Sequence, residues 1–283
     1  MPELPSDLRL QVAAALREDL GAGDVTAALV PATQTVRGHI VTREEAVLCG
    51  SAWAEETFRQ LDAAVRLSWH AADGERVRPE QVLCELAGPA RPVLSGERTA
   101  LNFLQLLSGT ATATRAYAEA VAGTHCQILD TRKTLPGLRS AQKYAVRCGG
   151  ARNHRLGLFD QVLIKENHIV AAGSISAALA AARHAASGLR VEVEVENLAE
   201  LREALAAAPD IILLDDFTLE DLRAAVQLRN AQAAAVQLEA SGSVSLEGVR
   251  AVAQTGVDYV SVGSITKHVR AVDLSLRLEF ETR

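Results

Sequence analysis

Residues 191–216 read VEVEVENLAELREALAAAPDIILLDD, and this stretch decides the fold. Val191, Val193 and Val195 alternate with Glu192, Glu194 and Glu196, the two-residue period of a strand. Residues 198–208 then carry Leu and Ala at helical spacing, and residues 211–214 form an apolar run that ends in Asp215-Asp216. Strand, helix and strand in so short a span make a parallel β/α unit, because parallel neighbours need a crossover connection. The period puts all three glutamates on one side of their strand. If the valines face the helices, the glutamates point into the barrel, where carboxylates need cations or hydrogen-bond donors. An exposed edge strand with one polar face is the alternative.

The same rhythm extends outward in both directions. Apolar strands are predicted at residues 127–129, 162–164, 235–238 and 259–262, with helical patterns at 177–186 and 219–230. Six strands fall short of the eight in a full (β/α)₈ barrel. An incomplete or irregular α/β barrel is therefore expected, and a doubly wound open sheet is the alternative. Each strand runs into polar residues: Asp130-Thr131-Arg132-Lys133, Lys165-Glu166-Asn167-His168, Asp215-Asp216, Glu239-Ala240-Ser241-Gly242-Ser243 and Gly263-Ser264. In parallel barrels the strand C-termini share one face, and catalytic groups sit there.

The first hundred residues differ. Leu8, Val12, Ala15 and Leu16 recur at helical spacing, and residues 36–41, 65–69 and 82–86 read as short strands around a helix at 55–61. Asp73-Gly74 marks a turn. Residues 95–107 are expected to be helical, with Ser95 as N-cap and Leu101, Leu104 and Leu107 on one face. These features suggest a small α+β unit with a half-covered sheet.

Charge points to the ligand. Residues 130–168 hold eight basic residues against three acidic ones, in a chain of net charge −6 and pI about 5.7. A basic cluster in an acidic protein suits a small polyanion held in a cleft. Arg132, Lys133, His154, Arg155 and Lys165 follow the first two barrel strands, with a solvated basic face as the alternative. Arg offers a planar fork for carboxylates and Lys a mobile charge for phosphate. Lys165 directly follows an apolar strand and should point inward. Lys143 and Arg147, four apart on a helix stopped by Gly149-Gly150, either border the anion site or are ordinary exposed charge. Glu194 is the best single carboxylate candidate, with Asp215 as its neighbour. The loops Ser241-Gly242-Ser243 and Gly263-Ser264 would cradle a phosphate with backbone N–H groups, or are two ordinary turns.

Other classes fit poorly. Aromatics are only 4% of residues and the pI is low, which disfavours a nucleic-acid binder. No apolar run is long enough for a membrane span, and the first residues lack the basic start of a signal peptide. Cys49, Cys84, Cys126 and Cys148 are far apart and read as reduced thiols, so the cytoplasm is the expected location. The histidines show no HExxH spacing, and Walker A, EF-hand and GxSxG patterns are absent.

These motifs together resemble a known family. DTRKT-x-P-G-x-R from Asp130, GGARNHRLGL from Gly149, DQVLIKENHI from Asp160, VEVEVENL, LLDDF, EASGS and VSVGSITKH are similar to quinolinate phosphoribosyltransferase. The likeness extends to the stretches around Glu18–Thr26 and Glu97–Leu104, and so over nearly the whole chain. It implies an N-terminal α/β sandwich over residues 1–108, joined by residues 270–283, and an open six-stranded α/β barrel over 109–269. The implied reaction joins quinolinate to phosphoribosyl pyrophosphate with Mg²⁺ and gives nicotinate mononucleotide, pyrophosphate and CO₂, within NAD biosynthesis. Arg132, His154, Arg155 and Lys165 would hold the quinolinate carboxylates, with Arg98 reaching in from the second subunit of a homodimer. Thr131 would join them in substrate binding. Lys133 would contact phosphoribosyl pyrophosphate, and Glu194 and Asp215 the ribose hydroxyls, directly or through Mg²⁺. Lys133, Glu194 and Asp215 are the catalytic candidates. Ser241, Gly242 and Ser243 with Val262, Gly263 and Ser264 would cradle the 5′-phosphate. Asp216 and Ser243 depart from the family's usual Asn and Gly, which should alter detail in the phosphate loop. A Schiff-base lyase using Lys165, a binding protein for phosphates or dicarboxylates, and a relative acting on another pyridine acid are the rival readings.

Overall fold

In the computed structural model, which describes residues 2–280, the chain forms two compact units. The first holds the chain up to Arg115, the segment Thr134–Gly150 and the chain from Ile265. The second holds Ala116–Lys133 and Ala151–Ser264. Elements are numbered in chain order. Helix α1 (Leu8–Leu20) precedes β1 (Thr35–Thr42), β2 (Ala46–Val47) and α2 (Ser51–Leu61). Then come β3 (Arg66–Trp69), β4 (Arg76–Val77), β5 (Val82–Pro89) and the long α3 (Ala90–Ala120). Strand β6 (Gln127–Leu129), α4 (Arg139–Cys148), β7 (Val162–Ile164), α5 (Glu166–Ala172) and α6 (Ile175–Ala185) follow. The chain continues through β8 (Val191–Val195), α7 (Leu198–Ala207), β9 (Ile211–Asp215) and α8 (Leu219–Gln232). It ends with β10 (Gln237–Ser241), α9 (Val249–Ala253), β11 (Tyr259–Ser261), α10 (Ser264–Lys267) and β12 (Leu274–Phe280).

The first unit is built on a four-stranded antiparallel sheet in the order β12-β1-β5-β3. Val36, Ile40, Cys84 and Leu86 bury one face of it with Phe58 of α2 and Val93, Leu101 and Leu104 of α3. Residues 270–280 enter this unit through β12, and residues 281–283 lie outside the described residues. Residues 134–150 also belong here, although the sequence placed them with the barrel. The reason is the face of α4: Ala141, Tyr144, Ala145 and Cys148 pack into a second cluster with Leu8, Val12, Trp53 and Leu107. Helix α3 starts earlier and ends later than the expected 95–107. Pro92 falls in its first turn, where a missing N–H costs nothing. Ser95 is therefore inside the helix, not its N-cap, and its hydroxyl donates to Asp24 Oδ2 at 2.7 Å.

The second unit is a six-stranded parallel sheet in the order β6-β11-β10-β9-β8-β7. Strands β6 and β7 are its two edges, so the sheet is open, as the strand count led one to expect. After Gly150 the chain runs beside the β6 edge, where Arg152 N donates to Ile128 O at 2.9 Å and Asp130 N to Arg152 O at 3.2 Å. Val191, Val193 and Val195 are buried, and helices α6 and α7 pack against their strand. Side chains of Ser174, Asn197 and Thr218 cap α6, α7 and α8, the last two directly after β8 and β9. Strand β10 begins two residues later than the sequence pattern suggested, because its pairing with β9 runs from Gln237 opposite Ile211 to Ser241 opposite Asp215.

An ion pair between the buried Arg229 and the partly exposed Asp258 ties α8 to the sheet. Arg229 donates to Val236 O at 2.9 Å and to Asp258 Oδ2 at 2.8 Å, and the same carboxylate accepts from Leu238 N. Removing one partner leaves an uncompensated charge in a poorly solvated place. Arg229→Ala is expected to lower unfolding free energy by about 3 kcal/mol, measured by urea denaturation.

Candidate active site

The parallel strands deliver their polar endings to one cavity of about 420 Å³. It is lined by Thr131, Arg132 and Lys133 after β6, His154 and Arg155 beside that edge, and Lys165 after β7. Glu194 of β8, Asp215 of β9, Glu239 and Ser241 of β10, and Ser261 of β11 complete the polar lining, with Leu163 and Leu213 as apolar wall. The volume falls within the range of small-molecule sites.

Local chemistry holds these groups in place. Asp130 is fully buried, and its carboxylate accepts from His154 N at 2.8 Å and Asn153 Nδ2 at 2.6 Å, which fixes the chain bearing His154 and Arg155. Lys133 N donates to Thr131 Oγ1 at 3.0 Å, which tightens the turn after β6. At the end of β7, Lys165 N donates to His168 Nδ1 at 2.9 Å, so His168 caps the start of α5 and leaves the Lys165 side chain at the rim. Lys165 Nζ pairs with Glu194 Oε2.

Cations crowd on one side of the cavity. Burial and the neighbouring Arg132 lower the Arg155 guanidinium from its usual range, against the pull of Glu192 and Asp160. Arg132 Nε is buried without a hydrogen-bond partner. A donor left open beside a second guanidinium is what an anionic ligand would relieve. Beneath them lies an acidic floor. His154 Nε2 sits 2.9 Å from Glu192 Oε2 and 3.7 Å from Glu239 Oε2, and Gln161 Nε2 also donates to Glu192 Oε2, at 2.7 Å. Both glutamates are fully buried. Burial, and then Glu192 beside it, push the Glu239 carboxyl up to about 8, with His154 and the Ser261 hydroxyl opposing.

Residues 24–108 of the chain match the N-terminal domain of quinolinate phosphoribosyl transferase, and residues 110–277 match the C-terminal domain. The chain belongs to the quinolinate phosphoribosyltransferase family. A carboxylating nicotinate-nucleotide pyrophosphorylase of Mycobacterium leprae is 47% identical over 271 residues, covering 93% of this chain and 94% of that protein. A decarboxylating quinolinate phosphoribosyltransferase of Nicotiana tabacum is 39% identical, with 97% of this chain and 83% of that protein covered. The nicotinate-nucleotide pyrophosphorylase structure from Francisella tularensis superposes with a TM-score of 0.93 at 46% identity, over 98% of both chains.

Within this family fold, the site residues expected from the sequence separate into groups. Thr131, Arg132, Lys133, His154, Arg155, Lys165, Glu194, Asp215 and Ser241 line the one cavity. Gly242, Ser243, Val262, Gly263 and Ser264 continue the strand endings beside it without lining it. At Gly263 an added Cβ would come within 3.0 Å of Lys133 Cδ and 3.5 Å of Thr131 Oγ1, so any larger residue would require the Lys133 side chain to shift. Asp216 takes φ +51° and donates its N–H to Ser241 O at 3.1 Å. Arg98 lies exposed on α3 in the first unit and is not among the lining residues. Lys143 and Arg147 are not either; Lys143 is buried on α4, and Arg147 donates to Glu3 O at 2.7 Å. Glu196 falls past the end of β8, exposed, so only two of the three alternating glutamates face inward. The sequence had not assigned Asp130, Glu192 or Glu239 to the site. Glu239 had a signal of its own: the lone charge in the stretch from Val236 to Ala240, where Val236, Leu238 and Ala240 are apolar.

The raised Glu239 carboxyl has a consequence for stability. The folded chain holds this proton more tightly than the unfolded chain, whose glutamates titrate near 4.5. The associated stability is complete below that value and is lost as pH rises towards about 8. Glu239→Gln, which cannot ionise, is expected to flatten the fall in urea midpoint between pH 6 and pH 8, read from denaturation curves of both proteins.

Proposed function

We propose that this protein transfers the phosphoribosyl group of phosphoribosyl pyrophosphate to quinolinate and releases CO₂, giving nicotinate mononucleotide for NAD synthesis. The observation that carries this is the pairing of four cations with Glu194 and Asp215 in one cavity, since both substrates are polyanions and one of them is a sugar. The names borne by its relatives support it.

Arg132, Arg155 and Lys165 hold the carboxylates of quinolinate, with the partner's Arg98 completing the grip in a homodimer. His154 shapes the same corner; both its ring nitrogens are engaged, Nδ1 by Arg155 N–H at 2.7 Å and Nε2 by Glu192. Lys133 meets the phosphates of the sugar substrate. Ser241, Gly242 and Ser243 with Val262, Gly263 and Ser264 receive the 5′-phosphate, and Gly263's lack of a side chain suits backbone approach to it. Glu194 and Asp215 bind the ribose hydroxyls.

Glu194 and Asp215 offer hard oxygen donors at the cavity wall and would hold Mg²⁺, which would supply charge neutralisation for the departing pyrophosphate. The pyridine nitrogen attacks the anomeric carbon as the bond to pyrophosphate breaks and its electron pair leaves with that group. Positive charge grows on the sugar, and the Glu194 and Asp215 carboxylates stabilise it. The cationic corner aligns the ring nitrogen for this step. The alkylated ring then accepts the electrons of the C2–carboxylate bond as CO₂ departs, and C2 takes a proton. Lys165 is half exposed and paired with Glu194, a poor setting for an amine nucleophile, which weighs against Schiff-base chemistry. Four buried free thiols are in keeping with a cytoplasmic setting, and no helix among the described residues is long and apolar enough to cross a membrane.

Purified Lys133→Ala and Glu194→Ala are each expected to lose about a hundredfold or more in kcat with the fold intact, assayed by pyrophosphate and CO₂ release. Wild-type turnover in either variant removes that residue from the assignment. Mixing Arg98→Ala with Lys133→Ala subunits should restore about a quarter of wild-type activity, since half the dimers are mixed and each mixed dimer holds one intact site. No recovery on mixing rules out a shared site.

A further inference from the structure

The floor of the cavity holds a group that the reaction as described does not use. Glu239 sits in the middle of β10, fully buried; neither of its carboxyl oxygens meets a donor in good hydrogen-bond geometry, and the Ser261 hydroxyl beside it is the neutral group that favours its charged form. Glu192 of β8 is equally buried, with Oε2 engaged and Oε1 unpartnered. Two buried carboxylates side by side with one imidazole suggest two occupants for the space among them: a divalent cation or a proton.

The imidazole decides between these. His154 Nδ1 faces the N–H of Arg155 at 2.7 Å, and two donors cannot face each other. Nδ1 is therefore the acceptor, and the ring proton is on Nε2. A protonated Nε2 has no lone pair for a metal and donates to Glu192 Oε2 instead, at 2.9 Å. Glu192 is thus the acceptor of two donors, His154 and Gln161. A second ionised carboxyl at Glu239, unsolvated and favoured only by His154 and the Ser261 hydroxyl, would oppose it. A neutral carboxyl there can give its proton to the open side of Glu192, and the upward shift of Glu239 agrees with that state.

We propose that Glu239 is a positioning residue: its neutral carboxyl backs Glu192, Glu192 orients the His154 ring, and His154 fixes the Arg155 backbone that presents a guanidinium to the acceptor diacid. The chain of contacts runs from Glu239 through Glu192 and His154 Nε2, across the ring to Nδ1, and on to Arg155 N. A neutral floor also spares the bound diacid the repulsion of a second buried negative charge. Glu239 itself touches no reacting atom in this scheme. It rests on the assignment of Arg155 to quinolinate given above, and the test separates the two.

The test has a kinetic arm and a substrate-free arm. Glu239→Ala should raise KM for quinolinate by about tenfold, with kcat and KM for phosphoribosyl pyrophosphate within about twofold of wild type. Glu239→Gln, neutral and able to donate an N–H to Glu192, should recover most of that loss. Equal impairment in both variants, or a loss confined to kcat, overturns the proposal. The second arm uses ¹⁵N NMR of the His154 ring in the intact protein without substrates. Wild type should show the neutral tautomer protonated at Nε2, and Glu239→Ala should shift or broaden that signal. A ring protonated at Nδ1 in wild type overturns the proposal even if Glu239→Ala fails to fold. If wild type does not turn over quinolinate at all, the assigned function fails, and the ring tautomer still reports on Glu239.

Discussion

The second unit depends on burying carboxylates inside a parallel sheet. Strand β8 presents valines to the helices behind it and Glu192 and Glu194 to the inner space. An ionised carboxylate in such a place is tolerated only where donors or cations meet it. Lys165 meets Glu194 from the end of β7, while His154 meets Glu192 from the segment that follows the β6 edge and Gln161 meets it from just before β7. The pairings link neighbouring parts of the sheet. They also explain why the basic residues follow the early strands and the acidic ones lie on later strands.

The same constraint gives the cavity two chemical sides. Arg132 and Arg155 crowd each other where burial already disfavours charge, and one Arg132 nitrogen is unmatched. Across from them Glu194 and Asp215 supply negative charge near the strand ends. One side suits a small polycarboxylate, and the other suits hydroxyls, a hard cation and a developing positive charge. Such a division fits a reaction that brings a diacid to a sugar whose anomeric carbon becomes electron-poor. The acidic floor beneath His154 is kept from repelling the diacid by the neutrality of Glu239.

Much of this was legible in the residues. The period of 191–195 and the apolar run at 211–214 predicted parallel units, and the polar endings of successive strands pointed to one rim. Nine of the expected site residues line the cavity because strand C-termini must share a face in that topology. Other features were hidden. Helix α4 carries Lys143 and Arg147 at a spacing that suggests one shared exposed face, yet Lys143 is buried and Arg147 reaches Glu3. The extent of α3 was obscured by Pro92 and Ser95, which look like boundary signals but sit inside the helix. Glu239 was named among the polar strand endings but given no role, because it stands two residues before the loop that drew attention.

Local periodicity and charge order were enough to establish parallel β/α units, an antiparallel partner unit and a polyanion site at the strand ends, since these follow from the direction in which each side chain leaves its backbone. Which carboxylates meet which cations, that residues 134–150 pack with the first unit, and that His154 spends both ring nitrogens on the protein itself were decided only by the tertiary structure. Those outcomes rest on contacts between residues far apart in the chain, where burial sets which polar groups must be paired, and no local pattern records that.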